Sequence, residues 1–396
     1  MAQPELPYWR LSSFYFFYFA LLGATAPFLP LYLDYLEFSP ERIGELVAIP
    51  MLMRCLAPNL WGWLGDKTGQ RLRIVRVGAA CTLVFFSLIF FRQDYYGLAL
   101  VMLGHAFFWH AILPQFEVIT FSHLGTDTAR YSSLRLWGSV GFLLFVIVFG
   151  YVFAGVGLGI YPLTVVSVML GIFLSSLLVP EPPKMQSNEA RHPARSSFKA
   201  FLRELQQPKY LAFYGLIGLM QLSHGPYYTF LTLYLEQLNY PRAWAGWFWS
   251  LGVLAEIGIF MLMPRLLNRF SLTQVLMASL VIAAVRWLIL GTAAEYLVWL
   301  LVAQLMHAAT FGSFHVAAMQ FIQKNMPTEF QGQAQAFYVS ASGAGAALGA
   351  LYAGYSWSSL GPTVTYYIAA IIALLAVGLA LRFLPQEPTR ESINNP

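Results

Sequence analysis

Five charged residues fall inside or at the edges of long apolar runs of this 396-residue chain. They are Arg54, Glu117, Arg135, Glu256 and Arg286. A charge at the centre of a bilayer costs from about 2.5 to more than 10 kcal/mol, so such residues persist when they pair with one another or line a wet cavity. Two interpretations follow: salt bridges that lock helices together, or a site for a charged substrate or a proton. For ionisable groups within a membrane we take the site as the working hypothesis.

Glu256 has a partner position elsewhere in the chain, because the sequence is an internal duplication. PFLPLYL at 27–33 and TFLTLYL at 229–235 are 202 positions apart, and the offset holds over roughly 115 residues. The same offset pairs Arg54 with Glu256. Equivalent positions face each other across a two-fold axis, so we expect Arg54 to hold an anionic group and Glu256 to carry a proton. A carboxyl group in a low-dielectric cavity exchanges protons nearer neutral pH than one in water.

The remaining polar candidates lie in other predicted helices. Glu117 and Arg135 can pair with each other, or Arg135 can hold a substrate carboxylate with its two-pronged guanidinium. Arg135 is also near a helix end, from which its side chain can reach the membrane surface. In the second half, His307 is a candidate to carry or relay protons beside Arg286, whereas we interpret His315 as a packing residue.

Tyr227 and Tyr228 follow a predicted helix break in the segment SHGPYYTFLTLYL. Their rings and hydroxyls can line a pocket, and they can equally pack within the protein or against lipid. Cys55 and Cys81 match no metal or redox spacing, and the sequence has no HExxH motif. We therefore expect no metal and no cofactor, only the proton as coupling ion, and no enzymatic activity.

The elements that must position these side chains are membrane helices. Hydrophobic residues make up 58% of the chain and charged residues 10%, against about 25% charged residues in soluble domains. About 20 apolar residues cross the hydrocarbon core as a helix. Twelve such runs are predicted, at 11–34, 41–64, 74–91, 96–122, 133–154, 157–179, 209–235, 243–263, 273–292, 297–321, 333–355 and 362–384. This pattern and the repeat predict an all-α integral membrane protein with twelve transmembrane helices in two pseudo-symmetric six-helix bundles.

The chain divides into a first bundle at 1–179, a cytoplasmic linker at 180–207, a second bundle at 208–384 and a cytoplasmic tail at 385–396. The end of the linker, SFKAFLRELQQ, has apolar residues at helical spacing and is expected to lie along the cytoplasmic face.

With the amino terminus inside, seventeen Lys and Arg residues fall at cytoplasmic ends and three in outside loops. Both termini are therefore expected in the cytoplasm. The net charge of +5 reflects membrane anchoring, and nucleic-acid binding is not expected.

The segment GWLGDKTGQR at 62–71 resembles the cytoplasmic signature of the major facilitator superfamily, with Gln70 where a basic residue is common. The sequence PRLLNRFS at 264–271 is a weaker second copy. In that superfamily the signature holds helices together and governs the conformational switch. The resemblance therefore implies a conformational latch made of Gly62, Asp66, Lys67, Gly69 and Arg71.

Longer strings are similar to the phenylpropionate permease family, whose members are relatives of lactose permease and presumed proton symporters. The strings are LRLWGSVGF, SHGPYY, WSLGVLAEIGIF, AVRWLILG and HAATFGSFHVAAM. Lactose permease has rough counterparts of Glu117, Arg135, Arg286 and His307. This chain departs from it at Thr310, where lactose permease has a proton-linked glutamate, and at 342–349, where its eleventh-helix lysine has no counterpart. These departures give Glu256 more weight as the proton carrier.

Together these features predict a monomeric secondary active transporter of the bacterial inner membrane. We expect it to import a small organic anion, such as the aromatic carboxylate 3-phenylpropionate, together with protons by alternating access. The predicted substrate-binding residues are Arg54, Arg135, Tyr227 and Tyr228. The predicted proton-coupling residues are Glu117, Glu256, Arg286 and His307. Sugar or nucleoside symport, efflux on the same fold and a substrate-sensing receptor are the alternatives.

Overall fold

The computed structural model describes residues 6–182 and 198–385, and every regular element in these two ranges is a helix. The α-helices are α1 (Tyr8–Tyr35), α2 (Pro40–Thr68), α3 (Arg71–Ser87), α4 (Tyr95–Leu124), α5 (Tyr131–Gly155), α6 (Tyr161–Leu178), α7 (Phe198–Leu205), α8 (Pro208–Ser223), α9 (Gly225–Gln237), α10 (Arg242–Arg269), α11 (Leu272–Ala293), α12 (Leu297–Leu305), α13 (Phe314–Asn325) and α14 (Gln331–Phe383). A π-helix at Ala308–Ser313 joins α12 to α13, and 3-10 turns lie at Leu88–Phe90, Thr128–Arg130, Leu158–Ile160 and Thr328–Phe330. Most of the predicted linker, 183–197, and the tail from 386 onward lie outside the described residues.

Ten helical segments of the described residues are long and apolar enough to cross a membrane, so the chain is a multi-pass membrane protein. The predicted run 209–235 is divided, as the SHGPYY break predicts, into α8 with 16 residues and α9 with 13 residues. The predicted runs 333–355 and 362–384 form the single 53-residue element α14, which kinks at Gly361 with φ of 81°. Glycine adopts this left-handed φ at little cost, and the following Pro362 has no N–H to continue the hydrogen bonding of the helix.

The helix ends follow local sequence signals. α2 begins with Pro40 at its first position, where the missing N–H costs nothing. It ends at Gly69, whose φ of 67° gives the left-handed cap that favours glycine. At the start of α4, the Asp94 carboxylate accepts a hydrogen bond from a backbone N–H. Ser271 and Gln274 form a reciprocal capping box at the start of α11.

The described residues form two compact units. The first contains residues 6–182 and 235–247, with α1 packed on α5 and α6, and α4 packed on α2 and α3. The second contains residues 198–234 and 248–385, with α8 and α11 packed on α14. Residues 235–247 belong to the first unit although the predicted second bundle includes them. Arg242 accounts for part of this, because it forms an ion pair with Glu236 and donates a hydrogen bond to the carbonyl oxygen of Phe153 at 3.2 Å.

Small residues allow the helices of the first unit to approach closely. Gly141 of α5 is buried against α1, and a Cβ atom at this position would overlap the backbone carbonyl oxygen of Phe16. Gly155, at the other end of α5, has open space where its Cβ would stand. The α1–α5 contact therefore depends on the absence of one methyl group at Gly141.

We expect Gly141→Ala to destabilise the protein by about 1 to 3 kcal/mol, the usual cost of overpacking. Backbone atoms of α1 cannot move aside as a side chain can. Thermal unfolding in detergent measures the effect, with Gly155→Ala in the same helix as the control. Equal melting temperatures for the two variants would contradict the close approach.

Candidate functional site

The second unit contains a chain of three ionisable side chains contributed by three segments. Glu256 lies on α10, Arg286 lies on α11 and His307 immediately precedes the π-helix. Nε2 of His307 lies 2.8 Å from Oε1 of Glu256. Its other ring nitrogen, Nδ1, lies 3.0 Å from Nη1 of Arg286. The imidazole thus bridges the carboxylate and the guanidinium.

Arg286 is fully buried, and of its three nitrogens Nε and Nη1 have hydrogen-bond partners among the described residues whereas Nη2 has none. Its Nε donates to the carbonyl oxygen of Ala303 at 2.7 Å, and its Nη1 also donates to Oγ1 of Thr310 at 3.1 Å. The guanidinium carbon lies 4.1 Å from the centre of the Tyr227 ring, a cation–π contact. Glu256 supplies the opposite charge through His307. Without this set of partners, a buried guanidinium would cost several kcal/mol.

The contacts of Arg286 determine the tautomer of His307. A guanidinium N–H can only donate, so Nδ1 of His307 must accept and carries no proton. In the neutral imidazole the ring proton is then on Nε2, which donates to Glu256. A second proton cannot be added to Nδ1 while Arg286 occupies it. His307 therefore links Arg286 to Glu256 through its two ring nitrogens, one accepting and one donating.

The π-helix at Ala308–Ser313 helps to position the side chains of Glu256, Arg286 and His307. It follows His307 directly and presents Thr310 to Arg286. Gly312 packs against α10, where an added Cβ would stand 2.7 Å from Ile259 and 3.7 Å from Glu256. π-helical turns occur frequently at functional sites. The sequence analysis did not identify this turn.

Aromatic side chains surround the chain of charges. The Tyr227 ring stacks on His307 at 5.3 Å between centroids, and its hydroxyl donates to Oε1 of Gln304 at 2.8 Å. Tyr228 lies edge-on to His307 at 6.2 Å and tilted against Trp249 at 6.0 Å. The structure thus brings both predicted tyrosines to the charged cluster. The sequence analysis did not predict that Gln304 and Trp249 would contact these tyrosines.

The predicted site residues of the first unit form no comparable chain. The Tyr131 hydroxyl donates to Glu117 at 3.1 Å, and the Arg135 guanidinium lies 3.7 Å above the Phe19 ring. Within the described ranges Glu117 and Arg135 form no direct ion pair, and Tyr131 interacts with both. Arg54, in the middle of α2, is exposed. The pairing of Arg54 with Glu256 across a central cavity stays a prediction.

The latch segment does connect helices. Arg71 forms an ion pair with Asp66 and donates to Oε1 of Gln115 at 2.5 Å, and Gln115 donates in turn to the carbonyl oxygen of Trp61 at 3.2 Å. This network joins α2, α3 and α4. Lys67 instead lies over the Trp63 ring at 5.0 Å.

Three glycines of the latch segment differ in their surroundings. Gly69 provides the left-handed turn at the end of α2. Gly62 has nothing within 4 Å of where a Cβ would stand. A Cβ at Gly65 would overlap Oε1 of Gln115. Gly65, which the sequence analysis did not select, is therefore the glycine that makes room for the Arg71–Gln115 contact.

The helical fold and the similarity to known proteins define a transporter of the major facilitator kind, not an enzyme. The chain belongs to the MFS_1 like family, which it matches over residues 8–368. The resemblance seen in the sequence is thereby confirmed.

Individual relatives are also transporters. The chain is 29% identical over 382 residues to the probable 3-phenylpropionic acid transporter of Escherichia coli strain K12, covering 95% of this chain and 97% of that protein. It is 22% identical over 379 residues to the maltose permease of Geobacillus stearothermophilus, covering 95% and 94%. Among solved structures, the nucleoside transporter NupG has a TM-score of 0.81 at 17% identity and covers 95% of this chain and 98% of its own. That last similarity shows the fold alone.

We expect Gly65→Ala to destabilise the protein by about 1.5 to 3 kcal/mol, because the methyl group displaces Gln115 from the charged Arg71 donor. Gly62→Ala is the matched control and leaves the melting temperature near that of the unmodified protein. A double-mutant cycle with Gln115→Ala tests the cause: in that background the cost of Gly65→Ala disappears. Additive effects would contradict the role assigned to Gly65.

Proposed function

We propose that this protein is a secondary active transporter that takes up a small aromatic carboxylic acid together with protons by alternating access. The observation that carries the proposal is the Arg286–His307–Glu256 chain, in which a fully buried cation is balanced by one protonatable carboxylate. In this proposal the proton is the coupling ion and Glu256 is its carrier.

The charge balance of the cluster explains why a proton and an anion would move together. When Glu256 takes up a proton, the positive charge of Arg286 loses its counter-charge inside the protein. An arriving carboxylate restores the balance, so binding of one proton and one anion leaves the net charge of the site unchanged. Binding either ion alone leaves an uncompensated charge in a membrane interior, which costs several kcal/mol.

Substrate contacts are proposed for two arginines and two tyrosines. Arg54 is exposed, and the Arg135 guanidinium lies over the Phe19 ring and forms none of the ion pairs among the described residues. Either guanidinium is suited to bind a carboxylate through two parallel hydrogen bonds. The exposed part of Tyr228 beside His307 offers an aromatic face for the ring of the acid. Glu117, held by Tyr131, is the second candidate carboxyl group for proton coupling.

The substrate class rests on the Escherichia coli relative, whose name specifies 3-phenylpropionic acid. Nucleoside transport has a weaker basis in a putative nucleoside transporter that is 24% identical over 82% of this chain. Sugar transport rests on the maltose permease at 22% identity. Efflux differs from uptake only in the direction of the gradients, and a substrate-sensing receptor would bind without transport.

We also propose the number of membrane crossings and their arrangement in two bundles. Twelve crossings follow if α8 with α9 forms one span and α14 forms two spans that meet at Gly361. Two bundles of six helices, with both termini in the cytoplasm of a bacterial inner membrane, then agree with the distribution of Lys and Arg. We propose a monomer in which the Asp66–Arg71–Gln115 latch stabilises one conformation.

Uptake of radiolabelled 3-phenylpropionate into proteoliposomes tests the function. We expect accumulation with an imposed inward proton gradient, suppressed by competing aromatic acids and absent when a protonophore collapses the gradient. Vesicles containing a known transporter control for leakage. Uptake that reaches only equilibrium with the gradient imposed would contradict coupling, and no uptake at all would exclude this substrate.

We expect Glu256→Gln to abolish gradient-driven accumulation while preserving counterflow exchange, because exchange requires no net release of a proton. Glutamine keeps the size of the side chain and accepts the hydrogen bond from His307, but it cannot titrate. Glu295→Gln, at an exposed site between α11 and α12, is the control and should retain both activities. Gradient-driven accumulation by the Glu256→Gln variant would refute the assignment of Glu256 as the proton carrier.

A further inference from the structure

An apolar groove runs along the surface of the second unit between α8 and α14. Its volume is about 550 Å³, and every side chain that lines it is apolar except the Tyr214 hydroxyl. Its lining includes Leu205, Leu211, Gly218, Leu222, Ala344, Gly345 and Leu348. The groove shares no residue with the charged cluster around Arg286.

Small residues create the groove. α8 and α14 approach so closely that a Cβ atom at Gly345 would overlap the carbonyl oxygen of Gly218. The small residues form the floor, and leucines stand on both sides of it. Leu211 and Leu348 are 59% and 58% exposed. The result is a narrow apolar channel open along its length, a shape suited to a hydrocarbon chain.

The length of the groove matches one leaflet of a bilayer. From Leu211 to Leu222, α8 rises by about 17 Å at 1.5 Å per residue. Half of a hydrocarbon core measures about 15 Å. The groove begins beside α7, where Leu205 lines it, and Leu222 lies just before the α8–α9 break. With α8 and α9 forming one span, as proposed above, the groove would extend from the membrane surface to near the bilayer centre.

The helix beside one end of the groove, α7, has basic side chains, and so does the start of α8. On α7, Phe201 and Leu205 are buried against the protein, whereas Lys199 and Arg203 are exposed on another face of the helix. Neither Lys199 nor Arg203 belongs to an ion pair among the described residues. Lys209, two residues before Leu211, lies over the Tyr210 ring. The exposed apolar side chains Phe198 and Leu202 complete an amphipathic helix of the kind that lies in a membrane surface.

We propose that the groove binds one acyl chain of an anionic phospholipid, with the lipid phosphate held by the basic side chains of α7 and Lys209. A neutral lipid would fill the apolar channel equally well, so the specificity comes from the charges at the mouth. The bound lipid would fasten α7, and with it the connection between the two halves, to the membrane surface.

Native mass spectrometry of the full chain in detergent tests this site. The protein is titrated separately with dioleoyl phosphatidylglycerol and dioleoyl phosphatidylcholine. We expect one tightly retained phosphatidylglycerol and weaker retention of phosphatidylcholine. The double variant Lys199→Gln with Arg203→Gln should lose the preference, on the order of fivefold for each basic side chain removed, while still binding phosphatidylcholine.

Filling the groove tests the acyl-chain part of the site. Ala344→Phe places a ring in the channel from an exposed position and should abolish retention of both lipids. Gly218→Leu does the same from α8, where an added Cβ would meet nothing closer than 3.9 Å. Val364→Phe, at an exposed site of α14 outside the groove, is the matched control. Thermal unfolding establishes that each variant is folded.

Four results would overturn the proposal. The unmodified protein could bind the two lipids with equal affinity, or both groove-filling variants could retain lipid fully. Alternatively, glycerol phosphate or 3-phenylpropionate could displace the lipid. Glycerol phosphate would point to a simple anion site, and 3-phenylpropionate would assign the groove to the substrate. Lipid retention is measured without transport, so its failure is separate from failure of the proposed uptake.

Discussion

The second unit is organised around one buried positive charge. Removing a guanidinium from water is costly, and several groups that can stabilise a cation contact Arg286. A carbonyl oxygen, a hydroxyl, an imidazole nitrogen and an aromatic face take those places, and Glu256 provides the negative charge. The π-helix after His307 and the close packing at Gly312 keep these groups near Arg286. Any movement of α10 relative to α11 therefore changes the electrostatic balance of the site.

The two units correspond approximately to the two halves of the sequence repeat, yet they distribute their polar groups differently. In the first unit the charges of Glu117 and Arg135 are half-buried; Tyr131 donates to Glu117, and the Arg135 guanidinium lies over the Phe19 ring. The extended hydrogen-bond network of this unit lies instead at a helix end, where Asp66, Arg71 and Gln115 join three helices. The ionisable cluster of Glu256, His307 and Arg286 thus belongs to the second unit, and the network that joins helix ends belongs to the first.

Much of this fold was predictable because a membrane helix is a long apolar run, and composition alone reveals such runs. The break at SHGPYY was predictable as well, because glycine and proline interrupt helices by local chemistry. The partners of the charges were not. Thr310 and Gln115 became partners of Arg286 and Arg71 through the rotation and depth of neighbouring helices, which no local pattern encodes. Gly65 was missed for the same reason: its importance depends on a side chain from α4.

The π-helix has a consequence for the internal symmetry of the chain. A π-turn contains one residue more than an α-turn, so the helix beyond Ser313 is rotated by about 100° relative to an uninterrupted α-helix. α4, the equivalent helix of the first half, is described as α-helical throughout. The 202-residue offset still pairs His105 with His307 before this turn and Glu117 with Met319 after it. Beyond the turn, residues that match in the alignment point in different directions, so duplication has preserved the sequence register while breaking the spatial equivalence of the two halves.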